Sequence, residues 1–127
     1  MTARQVFTSG QTFTAAQANA LAEATIAVNA QGTATSYTLA LTDAGKLVTF
    51  TGAAATVTIP LNSSVAFAVG DQINIAQLGT AQITIGTASG VTLVSSGSKT
   101  KTNGQYAVAT VVQYTANSWL LLGNIAT

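Results

Sequence analysis

The sequence predicts a mainly β protein: a compact antiparallel β-sandwich or barrel with a short N-terminal helical arm. Three observations carry this. From Thr35 onward, short alternating runs rich in Val, Ile and Thr are separated by turn residues at close spacing. The chain is 48% hydrophobic but only 6% charged, so its polar surface must come from Thr, Ser, Asn and Gln. Residues 1–34 have a different composition, rich in Ala and Gln, with a helix-start signal. The 127 residues suffice for one domain plus an arm.

The arm comes first. Thr14 and Gln17 have the spacing of a capping box, and Ala18, Leu21 and Ala22 then share one helical face. So narrow a face makes a marginal helix in water, so it must dock on its own domain or on a neighbour. Thr25, Ile26 and Val28 weaken helical propensity, and Asn29, Gln31 and Gly32 mark a linker. The β domain is therefore expected over residues 35–127.

Within it, "YTLAL" places Tyr37, Leu39 and Leu41 on one side. Asp43-Ala44-Gly45 fits a three-residue hairpin loop with Gly45 left-handed and Asp43 accepting turn amides. "TVTIPL" puts Val57, Ile59 and Leu61 on one face, and Pro60 belongs at an edge or a strand end. Val65, Phe67 and Val69 alternate before a bend at Gly70-Asp71. Ile73 and Ile75, Ile83 and Ile85, and then Val91 and Leu93 point inward. Two longer strands, "QYAVATVVQYT" and "NSWLLLGNI", meet at a short hairpin turn over Thr115–Ser118. The near-repeats "TVTIP", "QINIA", "QITIG" and "GVTLV" raise a β-helix as the rival architecture. Their uneven spacing places it behind the sandwich.

Composition excludes several functions. Net charge is +1 with no basic stripe, so nucleic acid is a poor partner. Without His or Cys, neither a zinc site nor a disulfide framework is expected, and no cofactor is implied. No apolar run is long enough to span a bilayer, and the first residues lack a signal-peptide core. The acids Asp43 and Asp71 could work as a pair only if the fold brought them together, and the plainer reading is that each serves a turn. Ser and Thr hydroxyls lack a His base. Lys99 and Lys101 in "GSKTKTNGQ" read as a solvated loop or an edge guard, not a phosphate loop. Tyr106, Tyr114 and Trp119 could form a sugar platform, though a Trp within "NSWLLLG" is more often core or interface.

The last two strands are unusual because both faces are apolar. Trp119 and Leu121 alternate with Leu120 and Leu122, and "AVATVV" behaves alike. Two-sided apolarity calls for cover on both sides. Val108, Val112, Trp119, Leu120 and Leu122 are therefore the candidate core or subunit-interface residues. Little like-charge repulsion opposes self-association in so neutral a chain.

The parts "DAGK" (Asp43–Lys46), "VTIP" (Val57–Pro60), "VGDQI" (Val69–Ile73) and "SWLLLG" (Ser118–Gly123) follow the lead-in "VFTSGQTFTAAQANALAE". In this order they resemble a β module of tailed-bacteriophage structural proteins: capsid decoration proteins, head fibres and tail fibres. The resemblance implies a non-enzymatic virion protein, made in the host cytoplasm and assembled onto the particle as a homotrimer. It implies an anchoring arm, with Phe7, Phe13 and Leu21 as candidate attachment residues and the major capsid protein or another virion component as partner. No shaft or separate tip follows the module, so a capsid decoration or head protein is expected rather than a full tail fibre. A host-glycan-binding module is the alternative.

Overall fold

The computed structural model describes residues 27–127 together with Ala15. The arm helix and the attachment candidates Phe7, Phe13 and Leu21 lie outside the described residues. In chain order the first six strands are β1 (Val28–Gly32), β2 (Ser36–Thr38), β3 (Leu47–Phe50), β4 (Ala55–Ile59), β5 (Gln72–Gln77) and β6 (Ile83–Thr87). They are followed by β7 (Thr92–Ser95), β8 (Lys101–Thr102), β9 (Val108–Thr115), β10 (Ser118–Gly123) and β11 (Ile125–Ala126). They form two mixed sheets. Sheet A has the order β1-β3-β5-β9-β10-β7, and sheet B has the order β11-β8-β6-β4-β2.

The mainly β expectation holds, but the antiparallel one does not. The first six strands alternate between the sheets, so that β1, β3 and β5 pair in parallel in sheet A. In the same way β2, β4 and β6 pair in parallel in sheet B. This is the winding of the rival β-helix reading, carried through three coils. The starts at residues 28, 47 and 72 in sheet A hide the period, because the turn-rich stretch after Ile59 lengthens the second coil. Antiparallel pairing enters only later. β9 runs against both β5 and β10, while β8 runs against β6 and β11.

Three local readings change. Asp43-Ala44-Gly45 is not a hairpin loop, because β2 and β3 belong to different sheets. The chain crosses between them through a 3-10 turn at Leu41–Asp43, which leaves Leu41 exposed. Gly45 does take the left-handed conformation, at φ 78°. Asn29, Gln31 and Gly32, expected as linker, lie in edge strand β1. The segment of Val65, Phe67 and Val69 forms no strand: Phe67 is buried and Val69 is exposed. Pro60 directly follows β4, as its missing N–H requires. The turn between β9 and β10 is as expected, with Asn117 at φ 59°.

The inward faces of the two sheets share one core. Val48, Phe50, Ile73, Ile75, Val111, Trp119 and Leu121 from sheet A meet Val57, Ile59, Ile83 and Ile85 from sheet B. Each such side chain contributes roughly 1.5–3 kcal/mol when fully buried. The Phe67 ring stands edge-on to Trp119, with centroids 5.3 Å apart. A buried polar tie joins the sheets: the Thr102 hydroxyl donates to Gln77 Oε1 at 2.6 Å and accepts the Ile83 N–H at 2.9 Å. Gln113 is also buried; its amide nitrogen donates to the Phe67 carbonyl at 3.2 Å and its oxygen accepts the Asn117 N–H at 3.3 Å. These bonds remove the cost of burying amides in an apolar core.

At one rim the loops after β1, β3 and β5 stack directly on one another. A Cβ on Gly52 would lie 2.7 Å from Thr33 Cα, and one on Gly79 would lie 2.7 Å from the Thr51 carbonyl oxygen. Only glycine permits that approach.

Candidate functional site

The acids occupy turns. Asp43 is buried, with Oδ2 accepting the Tyr37 hydroxyl at 2.5 Å and the Ala40 N–H at 2.8 Å. Its Oδ1 accepts from Asn29 Nδ2 at 2.8 Å, and Gln31 Nε2 in turn donates to Asn29 Oδ1 at 2.9 Å. This cluster links β1, the edge of sheet A, to β2, the edge of sheet B. Burial pushes the Tyr37 phenol up to about 12, and the hydrogen bond to Asp43 and its charge add to the shift. Lys46 meets Asp43 through the backbone, its N–H donating to the Asp43 carbonyl at 2.8 Å. Asp71 closes its own turn by accepting the Ala68 N–H at 3.0 Å. Both carboxylates are thus held by the backbone and its neighbours. No cluster of three or more metal-ligating His, Cys, Asp or Glu side chains occurs among the described residues. No helix among them is long and apolar enough to cross a membrane.

The outer faces of the two sheets carry the clearest chemical signal. On sheet B the register aligns Ser36, Thr56, Thr84 and Lys101 in one row, with Thr38, Thr58 and Gly86 in the next. On sheet A one row runs Val94, Leu120, Val112, Gln72. A second runs Leu122, Thr110, Asn74, Leu47, Val28. Leu120 is 41% exposed, Leu122 43%, Val94 42% and Val108 40%. These are aliphatic side chains on neighbouring strands, so they form one patch rather than scattered points.

The sequence-predicted candidates therefore separate into two groups. Trp119 is core, packed under sheet A. Val108, Leu120 and Leu122 lie exposed on the opposite side of the same sheet, with Val112 half-buried among them. Val94 and Tyr114 join that face without having been singled out for it. The signal for Val94 was available: with Val91 and Leu93 turned inward, Val94 must face outward. Where β10 runs on past the end of β7, a concavity of about 360 Å³ opens between Lys99, Leu120, Leu122 and Ile125. Lys99 is exposed on the loop before β8. Lys101 lies within sheet B and does not guard its edge, because β8 has a neighbour on either side.

The aromatic candidates also part. The buried Trp119 is no platform, whereas Tyr106 is 71% exposed at the tip of the turn leading into β9. Tyr106 has φ 68°, a conformation costing a non-glycine residue on the order of 1–3 kcal/mol.

No known protein-family model matches the chain, and no curated protein sequence matches it.

Proposed function

We propose that this chain is a non-enzymatic structural protein of a tailed-bacteriophage particle. In this reading it is a capsid decoration or head protein that binds the assembled shell as a homo-oligomer. The single observation that supports it best is the aliphatic outer face of sheet A on a chain with almost no charge. A trimer, the virion location and the anchoring role of the first residues rest on the sequence resemblance alone.

The occupant of the aliphatic face is a second copy of the chain. Four side chains about two-fifths exposed offer roughly 2–5 kcal/mol when covered. Association costs about 4–15 kcal/mol in lost freedom. The patch alone falls at or below that cost, so a further contact must add to it. In the proposed arrangement the exposed Tyr114 on the same face and the concavity beside Ile125 supply that contact.

Light scattering on the full chain tests the oligomer, and three chain masses are expected. Shell attachment is tested by deleting residues 1–26. The cut stops there because β1 and the Asn29 link to Asp43 belong to the fold. The shortened chain should remain folded and oligomeric but fail to bind shells. Full occupancy by it would refute the anchor. Imaging of labelled protein on particles separates a head location from a tail fibre.

A further inference from the structure

Tyr106 stands largely in solvent in a backbone conformation that suits glycine. Its turn spans Gly104–Ala107 and is closed by the Ala107 N–H donating to the Gly104 carbonyl at 3.0 Å. Gln105 does not have positive φ, and Tyr106 does, so the turn is of type II. The third position of that turn belongs to glycine or asparagine. Here it holds a bulky aromatic with 71% of its surface in solvent, so burial of the ring does not offset the strain. Exposed residues kept in such conformations cluster at ligand contacts.

The base beneath the ring is rigid. The Tyr106 N–H donates to the Gln77 carbonyl at 2.6 Å, and the Gln77 N–H donates to the Ala107 carbonyl at 3.0 Å. The Gln77 side chain is itself fixed by Thr102 and by donating to the Gly79 carbonyl at 3.0 Å. Gln105 Nε2 donates to the Leu78 carbonyl at 3.1 Å, which ties the turn to the next loop. A ring held this way needs little further ordering when something binds.

We propose that this turn is a binding site for a neutral saccharide, with the Tyr106 ring as its stacking platform. Asn103 and Gln105 are exposed neighbours of Tyr106 in the chain, exposed Leu78 lies on the loop the turn is tied to, and the turn contains no charged residue. A flat apolar ring with amide donors and acceptors beside it matches the C–H face and hydroxyl edge of an uncharged pyranose. A sialylated or otherwise anionic sugar would call for a cation that the turn does not supply. Tyr106 lies two residues before Val108 of the aliphatic patch, on the turn that precedes β9.

The test uses the full chain on an array of neutral and sialylated glycans, together with the Tyr106→Gly and Tyr106→Phe variants. Glycine suits the left-handed position, so Tyr106→Gly should melt no lower than the parent and keep its solution mass. Its neutral-glycan signal should fall about tenfold or more, the loss of one stacking contact, while Tyr106→Phe retains most of it. Three results would overturn the proposal. One is an array with no neutral-glycan signal. Another is a signal that Tyr106→Gly leaves intact. The last is a Tyr106→Gly protein that melts lower or changes mass, which would make Tyr106 a packing residue within or between chains.

Discussion

The two outer faces of this molecule are built on the same kind of strand and differ in what they present. Sheet B shows rows of Ser and Thr hydroxyls, and sheet A shows Val and Leu side chains over β7, β9 and β10. Hydroxyl rows can bond across strands and to water, so that face is complete in solvent. The aliphatic face gains nothing from water. Burial of its inner side does not explain it either, since Trp119 and Leu121 already fill the core beneath. The lesson is local: within β10, alternate residues face the core on one side and solvent on the other.

The contrast can be broken at several points. The largest effect is expected from the inner side of β10. Trp119→Ala should cost about 3–5 kcal/mol in denaturant unfolding, since the cavity also strips Phe67 of its ring contact. Thr102→Val, which leaves the buried Gln77 oxygen without its donor, should cost about 1–3 kcal/mol by the same measurement. The outer side should behave otherwise. Leu120→Lys with Leu122→Lys should leave the unfolding free energy of the dissociated chain within about 1 kcal/mol while abolishing association. Thr56→Lys on sheet B is the matching control, and its mass should equal that of the parent.

The smallest effect concerns the edge clamp. Tyr37 has its phenol pKa raised in the fold from the ordinary 10.0 to about 12. The neutral form is the one the fold favours, so this stabilisation is fully present below pH 10. It is lost as pH rises from there through about 12. Alkaline melting curves should show that loss, and Tyr37→Phe should remove the step.

Much of this architecture was legible in the residues. The alternation of Ile73 and Ile75 and of Ile83 and Ile85 named the core face of two strands correctly, whereas in β10 it separated Trp119 and Leu121 from Leu120 and Leu122 without saying which pair faces inward. Pro60, Gly45 and the Ala116-Asn117 turn announced themselves by backbone chemistry. Strand direction was not legible. Alternation reports which face is buried and carries no sign for parallel or antiparallel pairing. A strand also needs a partner to show itself, and Asn29–Gly32 reads as a linker until β3 lies beside it. The two-sided apolarity of β9 and β10 was visible, but only register could show that Val94 from β7 extends the same patch. Tyr106 was readable as an aromatic near amides. Its strained backbone was not, because φ depends on how Gln77 grips the turn.

The central claim is that copies of this chain meet through the outer face of sheet A. Sedimentation equilibrium of the full chain, parent beside Leu120→Lys with Leu122→Lys, tests it most directly. The expected result is three chain masses for the parent and one for the variant. A parent that sediments as a single chain at every concentration, or a variant that assembles as the parent does, would contradict it.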